Sequence, residues 1–167
     1  MAKVLISGTG RCGTTFLIKL FTFLEYDTGY TKQNYSNSIF KNCNSGMEKD
    51  FKASNYIIKN PNFMGNIKNI VQNVKIQCMI IPIRKYEQAA ESRVNNKNSP
   101  GGLWNAKSLQ EQIKFFHKIM ADYLEVMVKY DIPTIFLDFD RMTSDKKYLF
   151  DKLQNILKEK SVNFDLF

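Results

Sequence analysis

Between Ser7 and Gly13 the chain reads Ser-Gly-Thr-Gly-Arg-Cys-Gly, three glycines and an arginine within one short turn. Glycines let a backbone curl with its N–H groups turned inward, and a helix starting just after adds the positive end of its dipole. The chemistry this serves is anion binding, most naturally of phosphate. Gly8 and Gly13 have the spacing of the triphosphate loop G-x-x-x-x-G-K-S/T, but the lysine position is Thr14, followed by Thr15. Phosphoryl transfer from ATP needs that lysine and a hydroxyl-held magnesium, so the substitution counts against an ordinary kinase or ATPase. A positive charge stands earlier in the loop, at Arg11. Two further cations follow apolar runs, Lys59 after Ile57-Ile58 and Arg84 after the run ending at Ile83. The carboxyl ends of strands are where open α/β sheets hold their ligands.

The run Gly10-Arg11-Cys12-Gly13-Thr14-Thr15-Phe16 resembles the 5′-phosphosulfate loop of the sulfotransferases: a basic residue, Ser or Thr, then Gly-Thr-Thr and a large apolar or aromatic residue. Cys12 departs from the more frequent serine. A second stretch, Ile83-Arg84 through Ser92-Arg93, is similar to the family's 3′-phosphate motif, an arginine at a strand end with a serine eight residues beyond it. Guanidinium makes a bidentate contact with phosphate, and a hydroxyl on the following helix donates a further hydrogen bond. The resemblance implies a P-loop-like α/β fold of three layers, a mostly parallel sheet flanked by helices. It also implies a metal-free reaction in which 3′-phosphoadenosine 5′-phosphosulfate gives its sulfuryl group to a hydroxyl or amine, leaving 3′,5′-adenosine bisphosphate. Gly10, Arg11, Cys12, Gly13, Thr14, Thr15, Phe16, Arg84 and Ser92 are then the cofactor-binding residues.

In-line sulfuryl transfer spreads negative charge over the sulfuryl oxygens and the leaving bridge, so positioning and cationic stabilisation are the protein's task. Arg11 is the first candidate for that charge. Lys59 is the second, because Ile57-Ile58-Lys59 resembles the family strand whose lysine lies beside the sulfuryl group; the competing reading is a solvated lysine at a strand end. Phe16 matches the position that lies against the adenine, with a plain core role as its competitor. The catalytic base is open. Cytosolic members place a histidine where this chain has Pro61, and His117 falls within a helix between Ile113 and Met120, where packing is the expected role. Other members use a glutamate after the first helix, which leaves Glu25, Asp27, Glu48 and Asp50 unranked. The family's C-terminal segment bearing Arg, Lys and Gly has no counterpart after Asp140, so either Asn95 to Trp104 closes over the cofactor or the site is open.

These residues need a scaffold, and the apolar pattern supplies one. Val4 to Ile6, Tyr56 to Ile58, Lys75 to Ile83 and Thr134 to Phe139 read as strands. Helices are expected from Thr14 to Leu24, Gly65 to Val74, Tyr86 to Asn96 and Ser108 to Lys129, and after the Ser144-Asp145 cap. Strands alternating with helices predict a parallel sheet with helices on both faces, in a single domain over residues 1–167. Glu25 to Tyr30 is a short strand or turn. Thr31 to Ser54, rich in Asn, Ser and Lys without a period, reads as a mobile excursion serving as lid or acceptor-binding loop, or else as a disordered insertion.

Composition places the chain among globular proteins, 44% hydrophobic with 13 Phe and 8 Tyr. The formal net charge of +8 suits an anionic partner, a polyphosphorylated small molecule or a nucleic acid. No stretch approaches the roughly 18 apolar residues of a membrane span, and no leader precedes the first strand, so a cytoplasmic location is expected. Cys12, Cys43 and Cys78 have no metal spacing and are expected as free thiols. The partner expected is a small-molecule or glycan acceptor rather than nucleic acid. Two rivals stand beside the sulfotransferase: a small P-loop kinase, and a non-catalytic module binding adenine nucleotides or nucleic acid.

Overall fold

The computed structural model describes residues 2–167. Four strands form one parallel sheet: β1 (Lys3–Ile6), β4 (Ile57–Lys59), β5 (Ile76–Ile83) and β6 (Thr134–Asp138), in the order β4-β1-β5-β6. A strand buried on both faces reads as a continuous apolar run, and β1 is buried along its whole length. Its alternate residues divide two cores. Val4 and Ile6 join Ile57 and Ile80 beneath α1 (Thr14–Phe23) and α6 (Lys146–Leu157). Leu5, Ile58, Met79 and Ile81 face α2 (Ile67–Asn73), α3 (Tyr86–Asn95) and α4 (Leu109–Lys129). The result is a sheet between two helical layers.

The helix starts are set locally. Ser108 accepts a hydrogen bond from Glu111 N to open α4, and Asp145 accepts from Tyr148 N at 2.8 Å to open α6, as the capping pattern predicts. The last strand is shorter than expected. Asp138 Oδ1 accepts from Arg141 N, ending β6 and starting a short α5 (Phe139–Ser144) that the apolar pattern does not announce. Glu25 to Tyr30 forms a turn, with Glu25 in the left-handed region at φ 61°.

The excursion over residues 31–54 differs from the expectation of a patternless loop. It carries a two-stranded antiparallel hairpin, β2 (Ile39–Phe40) with β3 (Ser45–Gly46), and buries Cys43, Met47 and Phe51. Gly46 has φ 132°, and a Cβ there would lie 2.0 Å from the Ser38 carbonyl, so only glycine closes this hairpin. Among the described residues no helix is long and apolar enough to cross a membrane.

Candidate functional site

From β1 the chain leaves by α1 to β4 on one side, and β5 lies on the other. The carboxyl ends of β1 and β5 are therefore neighbours at the point where strand order reverses, the place open α/β sheets keep for ligands. The Gly-rich turn leaves β1 there and Arg84 leaves β5 there. Both line one cleft of about 670 Å³, together with Lys59 from the end of β4 and Phe139 beyond the end of β6. The two separated sequence motifs converge.

The turn holds the geometry its glycines permit. Gly8, Gly10, Arg11 and Gly13 all have positive φ, at 157°, 75°, 56° and 89°. Gly10 has no room for a side chain: a Cβ would lie 2.1 Å from Arg93 Nη2. Cys12 is fully buried, its thiol pKa raised by that burial, and Thr14 is buried as well. Thr15 lines the cleft, and Phe16 does so with 42% of its surface exposed, so it is not a core residue.

Arg84 Nη1 donates to the Arg11 carbonyl at 3.0 Å while its guanidinium lies over the Phe139 ring, 4.7 Å from the centroid. Arg11 in turn donates from Nε to Ser92 Oγ at 3.0 Å and from Nη1 to the Cys43 carbonyl. Ser92 stands one layer behind the cleft wall, reached through Arg11. A third arginine, Arg93, is buried with only 6% exposed, under Gly10 and over the Trp104 ring. Among the described residues none of the three has a carboxylate within ion-pairing distance. Among the described residues the buried side-chain polar atoms without a hydrogen-bond partner are Thr9 Oγ1, Arg84 Nε and Arg93 Nε, all at this turn. Two of the three belong to guanidinium groups, which leaves the turn cationic.

Lys59 is not a solvated strand-end lysine. It is 1% exposed, and its Nζ donates to the Gly46 carbonyl at 2.9 Å, to Thr15 Oγ1 at 3.3 Å and to Glu48. Burial lowers its pKa, and the Glu48 carboxylate pulls in the opposite direction. The structure also separates the four carboxylates. Glu25 pairs with Lys32 in solvent, Asp27 accepts from Asn55 Nδ2 and Tyr56 N, and Asp50 accepts from Lys52 N. Glu48 alone among them lines the cleft, its side chain 35% exposed beside the Lys59 ammonium. His117 is exposed on α4 against the Tyr86 ring, outside the cleft, and so is not the half-buried residue its position suggests.

The segment after α3 closes one side. Pro100 to Trp104 lines the cleft, tied down by Arg93 through the Gly102 carbonyl and Trp104 ring, while Gln112 brackets Trp104 through N at 2.7 Å and O at 3.2 Å. Sequence reasoning passed over Arg93 because a charged residue was not expected inside. The signal was present in its spacing: Arg93 lies three and four residues beyond Ala90 and Ala89, on the buried stripe of α3. All three cysteines carry free, buried thiols.

Comparison of the chain with protein-family models, with curated proteins and with solved structures finds no match.

Proposed function

We propose that the protein is a sulfotransferase that binds 3′-phosphoadenosine 5′-phosphosulfate in the cleft between the Ser7–Gly13 turn and the Pro100–Trp104 segment. The observation that carries this reading is the convergence of Arg11 and Arg84, neither with a carboxylate partner among the described residues, on the cleft where the Gly-rich turn opens α1. Two cationic places are required by a nucleotide phosphorylated at both ends, and the cleft offers the turn with α1 for one and Arg84 for the other, while Ser92 stands behind the wall and acts through Arg11. Phe16 lines the cleft with its ring partly exposed, where it can lie against a purine.

The position of Lys59 favours this reading over a kinase. In the triphosphate loop the hydroxyl after the lysine holds magnesium. Here that hydroxyl belongs to Thr15, and an ammonium already stands 3.3 Å from it. A fixed organic cation at this point stabilises charge developing on a transferring group without a metal ion. The donor brings the sulfuryl group, and the chain's residues do the rest. Arg11 holds the sulfuryl oxygens and the bridging oxygen, which keeps the electrons of the breaking S–O bond, and the Lys59 ammonium behind Thr15 adds its positive field. Glu48 accepts the proton of the acceptor hydroxyl or amine as its oxygen or nitrogen bonds to sulfur. Glu48 is chosen over Glu25, Asp27 and Asp50 because it alone combines a place on the cleft wall with contact to Lys59.

Calorimetric titration with 3′,5′-adenosine bisphosphate, 5′-AMP and ATP tests the assignment. The bisphosphate is expected to bind most tightly, with that preference lost in Arg84→Ala, and Arg11→Ala is expected to reduce turnover more than product binding. Equal affinity for 5′-AMP and the bisphosphate in the parent protein would overturn it. A magnesium-dependent preference for ATP would turn the reading to a kinase.

A further inference from the structure

Arg84 carries its charge without an acid beside it. The chain at the end of β6 reads Asp138-Phe139-Asp140, and the parallel register sets Ile83 opposite Asp138, so the residue following β5 emerges next to the residue following β6. Two carboxylates flank that place, yet neither comes within ion-pairing distance of the guanidinium. Asp138 gives Oδ1 to Arg141 N as the cap of α5, and Asp140 is exposed. What the guanidinium meets is the ring between them, with Arg84 Cζ 4.7 Å from the Phe139 centroid. An aromatic face holds a cation through its quadrupole and leaves the charge whole, whereas a carboxylate would take up the fork that a phosphate needs.

The donors of Arg84 divide accordingly. Nη1 donates to the Arg11 carbonyl at 3.0 Å, and Nε is buried. Among the described residues Nη2 has no partner and, unlike Nε, it is not buried, so it is the donor left toward the cleft that Arg84 lines. The same ring also reaches the turn. A Cβ at Gly13 would lie 3.1 Å from Phe139 Cε2 and 2.6 Å from Met142 Cε, so α5 packs against the turn where α1 begins. Phe139 is wedged between Gly13 and Arg84, and a wedged ring gives the guanidinium a fixed surface to lie on.

We propose that Phe139 is a positioning residue, whose ring keeps the Arg84 guanidinium uncompensated and aimed at the second phosphate of the bound nucleotide. This rests on the reading of the cleft as a site for a nucleoside phosphorylated at two separate hydroxyls, and it adds the residue through which Arg84 discriminates. The short helix α5, which the apolar pattern does not announce, then belongs to the site.

The test is a double-mutant cycle on the full chain: parent, Phe139→Leu, Arg84→Ala and the double variant, with Phe139→Tyr as the conservative replacement, each titrated calorimetrically with 3′,5′-adenosine bisphosphate and 5′-AMP. Loss of a desolvated cation–π contact corresponds to about 3- to 30-fold in affinity. Phe139→Leu is expected to lower the preference for the bisphosphate by that factor, Phe139→Tyr to keep it, and Phe139→Leu to change nothing further once Arg84 is alanine. Equal losses for both nucleotides, or a loss of the same size with and without Arg84, would mean that the ring only props the turn and would overturn the proposal. Phe139→Met fills the space against Gly13 without a π face and gives the same reading should Phe139→Leu not fold. If the parent shows no preference for the bisphosphate, the sulfotransferase reading falls, and inorganic pyrophosphate decides Phe139 separately. Binding weakened by Phe139→Leu only while Arg84 is present keeps the positioning role; unchanged binding, or none to the parent, removes it.

Discussion

Removing either half of the Glu48–Lys59 pair should have unequal consequences, and the inequality follows from burial. Lys59 is 1% exposed, whereas the Glu48 side chain keeps 35% of its surface in solvent. Glu48→Gln leaves an ammonium inside with only the Gly46 carbonyl at 2.9 Å and Thr15 Oγ1 at 3.3 Å for company. Stranding a buried charge costs about 3–5 kcal/mol, and the partial exposure of the carboxylate places this case near the lower end, about 3 kcal/mol. Lys59→Met removes the cation and its desolvation cost together and leaves a carboxylate that water already reaches. Its net cost is expected within about 1 kcal/mol, and the double variant should resemble Lys59→Met. Urea unfolding at pH 7 measures this directly: with an m-value of about 2 kcal/mol/M, Glu48→Gln should lower the midpoint by about 1.5 M and Lys59→Met by no more than about 0.5 M. A Glu48→Gln midpoint within error of the parent, or below-parent stability shared equally by both variants, would refute the claim that Lys59 is held charged and dry beneath the turn.

Turnover should separate from stability in the same variants: Lys59→Met, though folded, is expected to lose about 10²- to 10³-fold in turnover with little change in bisphosphate affinity, read by steady-state kinetics beside calorimetry. Burial lowers the Lys59 pKa and Glu48 opposes that shift, so Glu48→Gln should move the alkaline limb of any residual activity to lower pH. The same depressed pKa makes the unfolded chain bind the extra proton between the folded value and 10.5, so the Lys59 contribution to stability rises with pH across that window and is lost as pH falls through the folded value. Gly10→Ala puts a methyl against Arg93 Nη2 at φ 75° and should lower stability by about 1–3 kcal/mol, measured by thermal unfolding. Among the thiols, burial raises Cys12 and takes Cys78 to about 11, while at Cys43 the bonds from Ser45, Ser99 and Gly101 outweigh burial and lower it. Iodoacetamide followed by peptide mapping should therefore find Cys43 labelled first, more so as pH rises from 7 to 8.

The sheet and both arginine-bearing junctions could be read from sequence because their signals are local. An apolar run, a glycine spacing and a strand ending in a cation each sit within a dozen residues. The segment from 31 to 54 could not be read that way. Its order comes from distant partners: Lys59 on the Gly46 carbonyl, Arg11 on the Cys43 carbonyl and Lys3 on the Ala53 carbonyl, with Met47 and Phe51 packed into opposite cores. Such contacts leave no periodic trace. Lys59 illustrates the same limit, since a lysine at a strand end looks solvated until the 45–48 backbone folds over it. Arg93 was hidden differently, by its charge, although its position on the Ala89-Ala90 stripe marked it as interior. Glu48 could be nominated but not preferred, because ranking four carboxylates requires knowing which one meets the cleft.

The β2–β3 hairpin is held to the cleft chiefly through main-chain oxygens, those of Cys43 and Gly46, gripped by Arg11 and Lys59. A carbonyl looks the same whatever residue bears it. Positions such as Phe40, Lys41 and Asn42 are thus free to be exchanged while the grip persists, provided Gly46 and Asn44, at φ 132° and 47°, are kept for the turn. The rim of the cleft can be rewritten independently of its floor, so libraries at those positions are the economical way to change which molecules enter.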